Sequence, residues 1–329
     1  MAWKLGPALA TGNCVVLKPS EFTPLTALRM CSFINEAGFP PGVVNVITGY
    51  GHTVGLAISE HMQIDKVAFT GSTHVGRKIM EAAAKSNLKD VTLELGGVSP
   101  NIVFDDADLD LAVDCFVRGI FWNHGQTCCA GSRILVHSRI YEEFLKRFTQ
   151  ATKSLKSDKL FSEEPESCQC PQVSKIQFDR TLEYIADART QGATVHLGGK
   201  QDHTQGYWIQ PTIITAQPDM DFVKEEIFGP VAVIIKFENE DDVLESENNS
   251  LYGLTASFFT KDLTRGVQFA NKLQAGTVWV NCVNTLYPNV PYGGFKQSGI
   301  GRECGQYALD TCVIYFPYVL AAHETCSGR

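Results

Sequence analysis

The chain has 329 residues, 44% of them apolar and 19% charged, which suits two soluble globular domains with a substantial core. Its net charge of −8 argues against nucleic acid or an anionic membrane surface as a partner. No apolar run reaches the ~20 residues of a membrane span, and the N-terminus shows no secretory or other targeting signal. In chain order, the first third alternates strand and helix. Residues 14–18 read as a short buried strand, and 24–37 as a helix with Pro24 near its start and Gly38 just past its end. Then come a strand at 43–47, a short helix at 51–59, a strand at 67–69, a helix at 75–85 introduced by Ser72-Thr73, and a strand at 91–95. Such alternation predicts a mostly parallel sheet with helices on its faces. Ligands bind at the carboxyl ends of strands in sheets of this kind.

A second alternation starts at Pro100. Strands are expected at 101–104, 134–136, 231–237, 256–260 and 276–280, and helices at 109–123, 140–155, 172–191, 241–248 and 263–273. The polar stretch 153–171 reads as a surface loop. The fold class is α/β, with a dinucleotide-binding domain at 1–97, a catalytic domain at 98–297 and a C-terminal return segment at 298–329. Eleven cysteines, an odd number scattered along the chain, indicate free thiols in the cytoplasm or another reducing compartment. Cys168-Gln169-Cys170 is too tight and isolated for zinc. His124 and Cys128, four apart, can share a helical face but lack a second ligand pair, so no metal is expected.

Chemistry concentrates at Asn123-His124-Gly125-Gln126-Thr127-Cys128-Cys129-Ala130-Gly131-Ser132-Arg133. A thiol in a Gly-, Ala- and Ser-rich loop lets a ligand approach closely, and Glu94-Leu95-Gly96-Gly97 puts a carboxylate on a flexible turn. These are parts of covalent catalysis: a thiolate attacks an electrophilic carbon, and a carboxylate activates water to release the product. A buried structural thiol is the plainer alternative. Gly49-Tyr50-Gly51-His52-Thr53-Val54-Gly55 follows a strand and opens a helix, as phosphate sites do. It departs from the G-x-G-x-x-G pattern, and a tight turn also accounts for it. Gly71-Ser72-Thr73 offers another helix N-terminus, or a plain cap.

Six segments in order closely resemble the NAD(P)-dependent aldehyde dehydrogenase superfamily. They are Leu17-Lys18-Pro19-Ser20-Glu21, Phe69-Thr70-Gly71-Ser72-Thr73, Glu94-Leu95-Gly96-Gly97, Gly125-Gln126-Thr127-Cys128, Glu225-Glu226-Ile227-Phe228-Gly229-Pro230 and Pro291-Tyr292-Gly293-Gly294-Phe295-Lys296-Gln297-Ser298-Gly299. The resemblance implies an aldehyde substrate oxidised to a carboxylic acid. Cys128 would form a thiohemiacetal and then a thioester, and Glu94 would act as general base for its hydrolysis. A lowered Cys128 pKa is expected.

For the cofactor, the resemblance implies Lys18 and Glu21 on the adenosine ribose and Gly71 and Ser72 on the pyrophosphate; Gly51 and Gly55, by their spacing after a strand, and Leu95 are further candidate cofactor contacts. Glu226 would hold the nicotinamide ribose, and Phe228 would pack near the ring. A carboxylate at Glu21 repels a 2′-phosphate, so NAD is expected over NADP. Trp3, Trp122 and Tyr292 match positions lining the aldehyde tunnel, and Thr127 and Cys129 flank the nucleophile and shape the pocket. The C-terminal segment of such proteins completes an oligomerisation sheet, which implies a homo-oligomer.

Departures from the pattern are visible. The sequence opens at Met1-Ala2-Trp3-Lys4-Leu5-Gly6-Pro7, inside the family's cofactor domain and past the segment whose asparagine stabilises the oxyanion, and it reads as N-terminally truncated. Val98 replaces a lysine, and Cys170 a glycine. Two other functions are compatible with the residues: an impaired fragment acting as a scaffold or oligomer partner, and a thiol hydrolase pairing Cys128 with His124.

Overall fold

The structure is a computed structural model describing residues 1–155, 170–203 and 205–313. The first alternation is present, preceded by a helix that the sequence reading omits. It comprises α1 (Ala2–Ala10), β1 (Val15–Leu17), α2 (Leu25–Glu36), β2 (Val44–Val46), α3 (Leu56–Glu60) entered through a π-turn at Gly51–Gly55, β3 (Lys66–Thr70), α4 (Thr73–Lys85) and β4 (Asp90–Glu94). Local chemistry sets the ends. Gly38 has φ +81° just past α2, the left-handed turn that closes many helices. Ser72 accepts the Val75 N–H and starts α4.

The second alternation contains β5 (Pro100–Val103), α5 (Leu109–Phe121), β6 (Arg133–His137), α6 (Tyr141–Thr152), α7 (Lys175–Thr190), β7 (Thr194–Leu197), β8 (Thr212–Ala216) and β9 (Val231–Phe237). It continues with α8 (Glu240–Asn248), β10 (Tyr252–Gly253), β11 (Thr255–Phe259), α9 (Leu263–Lys272), β12 (Thr277–Val280), β13 (Phe295–Lys296), β14 (Gly299–Ile300) and α10 (Gly305–Asp310). Seven strands form one sheet in the order β12-β11-β5-β6-β9-β8-β7, parallel except where β7 meets β8. Along β9 every residue but Lys236 is buried, as expected of a strand covered on both faces. Ala232 and Ile234 face a core built by Phe116 and Ile120 of α5 with Phe144 and Phe148 of α6. Val231, Val233 and Ile235 point the other way, onto Phe178 and Ile185 of α7. Each such fully buried side chain contributes about 1.5–3 kcal/mol.

Three expectations need correction. The first alternation does not make one sheet among the described residues: β1 and β2 pair in parallel alone, while β3 and β4 pair in parallel and β14 lies antiparallel on β4. Alternation fixes strand direction, but not which strands share hydrogen bonds. The helix expected at 172–191 begins at Lys175, because Ser174 caps it by accepting the Gln177 N–H. The helix expected through Asn123 ends at Phe121, because Asn123 and His124 turn left-handed at φ 52° and 58°. His124 and Cys128 therefore share no helical face. Strands β7 and β8 were not expected, although Thr212–Ala216 is β-branched and apolar enough to signal one. Residues 156–169 and the tail beyond 313 lie outside the described residues, and with them Cys168, Cys326, most of the expected 153–171 loop and half of the return segment. No described helix is long and apolar enough to cross a membrane.

Candidate active site

The loop carrying Cys128 leaves α5 through three consecutive left-handed residues, Asn123, His124 and Gly125. Such backbone costs about 1 kcal/mol or more at each non-glycine, so something must hold it. Asn123 Nδ2 donates to the Gln126 carbonyl at 2.9 Å, and Gln126 Nε2 donates back to the Asn123 carbonyl at 3.1 Å. Gln126 Oε1 accepts the Val173 N–H at 2.8 Å, and Cys170 Sγ donates to Asn123 Oδ1 at 3.5 Å. Gly125 cannot be replaced without rearrangement, since a Cβ there would lie 2.0 Å from the Gly229 carbonyl oxygen. Beyond Cys128 the loop is pinned again. Asn101 Nδ2, on β5, donates to the Gly131 carbonyl at 3.0 Å, and Asn101 Oδ1 accepts from Ser257 of β11.

Cys128 is thereby held against two other elements. Its carbonyl oxygen would be 3.0 Å from a Cβ on Gly97, just past β4, and its Sγ lies 3.6 Å from the Tyr292 hydroxyl. Glu94, the last residue of β4, is 3% exposed, with Oε1 buried and without a hydrogen-bond partner among the described residues. Burial, then the charge and hydrogen bond of Cys128, push Glu94 up to about 9. The expected lowering of the Cys128 pKa is not what these surroundings produce. Its hydrogen bond with Cys129 and its burial push the Cys128 thiol up, and the same hydrogen bond lowers Cys129. Among the described residues, the groups that act most strongly on Cys128 are Cys129, Glu94 and Tyr292, none of them a cation.

Of the aromatic residues expected around the thiol, Trp3 packs on Tyr292 with ring centroids 5.2 Å apart, whereas Trp122 is 66% exposed at the end of α5. Thr127 buries an unpartnered hydroxyl beside Cys128. His124, the base of a possible hydrolase, accepts the Ile209 N–H at Nε2 and is pushed down to about 4 by burial. That leaves it uncharged, turned towards the backbone, and spending its lone pair on a structural hydrogen bond.

The residues expected to contact a cofactor fall into two groups. Lys18 Nζ, at the end of β1, lies 3.5 Å from Glu21 Oε2 and donates to the Gly49 carbonyl at 3.2 Å, with its chain running past Gly55. Gly51 opens the adjoining turn, where an added Cβ would meet nothing within 4 Å. In the second group, the Gly71 N–H donates to the Glu94 carbonyl at 3.1 Å and places Ser72 at the exposed start of α4. Leu95 is buried against Gly76 of α4. Glu226 Oε1 accepts the Gly97 N–H at 3.1 Å, and burial pushes its carboxyl upward. Phe228 follows in a left-handed turn at φ 55°, its carbonyl held by Gln177 Nε2 at 2.9 Å.

Gln126, Asn101, Gln177 and Ser298 were missed as site residues. The first and last stand inside recognised motifs, so position was the available signal; Asn101 and Gln177 look like ordinary strand and helix residues. Among the described residues no group of three His, Cys, Asp or Glu side chains is placed to hold a metal.

An α/β fold with a half-buried thiol and a buried carboxyl beside the Gly96–Gly97 turn defines the general class. The family is settled by comparison. The model of the Aldehyde dehydrogenase family matches residues 1–315, and the chain belongs to that family. It is 61% identical over 310 residues to an aldehyde dehydrogenase of Agaricus bisporus, covering 94% of this chain and 62% of that protein. It is 54% identical to "Aldehyde dehydrogenase 1A1" of Oryctolagus cuniculus, with 94% and 62% covered. A solved structure described as an NAD+ complex of aldehyde dehydrogenase from Bacillus cereus superposes with a TM-score of 0.91 at 49% identity, covering 94% of this chain and 62% of that one. The chain thus spans about 62% of the length of these relatives.

Proposed function

We propose that this chain carries the catalytic thiol, general base and cofactor contacts of an enzyme that oxidises an aldehyde to a carboxylic acid with NAD+. The observation that carries this reading is that the half-buried Cys128 thiol stands next to the buried Glu94 carboxyl, beside the Gly96–Gly97 backbone on which the Glu226 carboxyl rests. Residues 1–97 would supply the cofactor side, 98–297 the thiol, and 298–329 the return segment of a homo-oligomer.

The residues present fit a dinucleotide. Gly51 has open space where a side chain would be, so packing within the protein does not explain the glycine. Ser72 and the start of α4 face solvent, where helix N–H groups favour phosphate. Lys18 and Glu21 stand together as ribose partners, and the Glu21 carboxylate opposes a 2′-phosphate, which favours NAD over NADP. The relative from Bacillus cereus is described with NAD+. Glu226 and Phe228 would hold the nicotinamide end.

The Cys128 sulfur attacks the aldehyde carbon, its proton leaves, and the carbonyl oxygen becomes the oxyanion of a thiohemiacetal. Bound NAD+ supplies the hydride acceptor that leaves a thioester on Cys128. Glu94, once deprotonated, takes a proton from water; the resulting hydroxide adds to the thioester, the C–S bond breaks, and the carboxylic acid departs with the thiol restored. Trp3 and Tyr292 pack an aromatic wall at the thiol, which suits an apolar or aromatic aldehyde. The odd number of scattered cysteines suits a reducing compartment.

The test is to express the chain and follow NADH formation from short aliphatic and aromatic aldehydes, with mass spectrometry of the trapped enzyme. An acyl adduct on the Cys128 peptide is expected, and both adduct and activity should vanish in Cys128→Ala. Turnover that survives this substitution would overturn the assignment.

A further inference from the structure

The described contacts of Cys128 include one group whose chemistry the reaction above leaves unused. Tyr292 is 2% exposed, yet its hydroxyl is aimed at the nucleophile, 3.6 Å from Cys128 Sγ. We propose that Tyr292 is a catalytic residue of this site: its hydroxyl donates a hydrogen bond to the Cys128 sulfur and favours the thiolate over the thiol. The inference rests on Cys128 being the nucleophile.

Three observations support it. The first is geometric: 3.6 Å is hydrogen-bond range for the large sulfur atom, across 164 residues of sequence. The second is rigidity. The Tyr292 backbone exchanges two hydrogen bonds with Glu303, at 2.8 and 2.7 Å, and its ring is wedged by Trp3 at 5.2 Å and 58°. A donor held in place costs no reorganisation when charge develops beside it.

The third is directional. Between a thiol and a phenol either partner can donate, but once the sulfur is an anion only the phenol can. Burial, and then the neighbouring thiols, push the phenol well above its ordinary range, so it keeps its proton. The other groups facing the sulfur are Cys129 on the same loop and Glu94 on β4, with Lys4 of α1 and Glu303 standing behind Glu94. Cys129 raises the Cys128 thiol; the Glu94 carboxyl, uncharged below about 9, is a second neutral donor. Tyr292 is therefore the donor that stays available after Glu94 has ionised to act as base. In this role Tyr292 itself makes and breaks no covalent bond; the one bond broken is the S–H of Cys128. The proton leaves sulfur for solvent and the phenol proton stays on oxygen.

The experiment uses the free protein, without aldehyde or NAD+. Alkylation of Cys128 by iodoacetamide is followed by peptide mass spectrometry across a pH series, in the parent chain and in Tyr292→Phe. The phenylalanine keeps the ring against Trp3 and removes only the hydroxyl. A hydrogen bond to a charged group predicts a midpoint shifted to higher pH and alkylation slowed ~10-fold at a fixed pH below it. Thermal unfolding and circular dichroism report whether the variant folds. Should it not, 3-fluorotyrosine at position 292, with its more acidic hydroxyl, should shift the midpoint down instead. An unchanged profile in a folded Tyr292→Phe, or in the fluorinated protein, overturns the proposal. If Cys128→Ala keeps dehydrogenase activity, it is the reading of Cys128 that fails, so the two failures are told apart.

Discussion

Ser298 Oγ donates to the Gly96 carbonyl at 2.7 Å, joining the segment after β13 to the turn that follows Glu94. The same hydroxyl accepts the Gly253 N–H at 3.0 Å, and the Ser298 carbonyl accepts the Leu95 N–H at 2.9 Å. Ser298 is fully buried, so no water can replace these bonds. The backbone from which the Glu94 side chain springs is thus fixed by a residue about two hundred positions away.

Replacing Ser298 by Ala should leave a buried N–H and a buried carbonyl unpaired, at a cost of about 1–3 kcal/mol in denaturant unfolding. Because the loosened turn carries the proposed base and not the aldehyde wall, kcat should fall more than KM rises. A Ser298→Ala protein matching its parent in both measurements would show that the bonds do not position Glu94.

Glu94 sets a pH dependence. With its carboxyl pushed up to about 9 it is protonated at neutral pH and must ionise to act as base, so the rate of acyl release should climb with pH towards that value. The linkage runs the same way for stability. Between about 4.5 and about 9 the folded chain holds a proton that the unfolded chain has released, so this group's contribution is lost as pH rises through the window. Glu94→Gln should flatten both dependences and give a single burst of NADH followed by slow turnover. Steady-state and rapid-mixing assays over the pH series check this, and a variant that turns over without slowing would remove Glu94 from the role.

His124 predicts the opposite slope. Its folded pKa, near 4 against an ordinary 6.5, means that the unfolded chain takes up a proton on acidification while the folded chain does not. Stability is therefore lost as pH falls from about 6.5 towards 4. At pH 5 the loss amounts to roughly 2 kcal/mol relative to pH 7. Between the two pH values, urea unfolding should show the parent losing about that much more stability than His124→Gln.

Arg133 on β6 and Glu247 on α8 form an ion pair with side chains only 8% and 2% exposed, at the exit of the Cys128 loop. Glu247→Ala would strand a buried guanidinium and should cost about 3–5 kcal/mol. The double replacement Arg133→Met with Glu247→Leu should recover most of this, since two apolar side chains leave no buried charge. Thermal unfolding of both proteins distinguishes a needed pair from a merely tolerated one.

Much of the molecule was legible without coordinates, and the reasons are local. Continuous apolar runs and helical patterns are properties of neighbouring residues, so β9 and α5 could be read directly, and Gly38 and Ser72 announced their helix ends. The ordered motifs around Lys18, Gly71, Glu94, Cys128, Glu226 and Tyr292 identified the family, because each is a short string with its own chemistry. Where local rules compete, reading failed: Asn123 and His124 look helical, but Gln126, Cys170 and the Gly229 carbonyl hold them left-handed.

Periodicity by itself determined the α/β class, and motif order the family, and the motifs singled out Cys128 and Glu94 as the proposed thiol and carboxyl. Only the tertiary structure decided which strands share a sheet, that Ser298 grips the turn after Glu94, and that the Tyr292 hydroxyl meets Cys128 Sγ. It also reversed the expected direction of the Cys128 pKa. Such relationships depend on contacts between residues far apart in the chain and on how deeply each group is removed from water, and neither is encoded in the spacing of neighbouring residues.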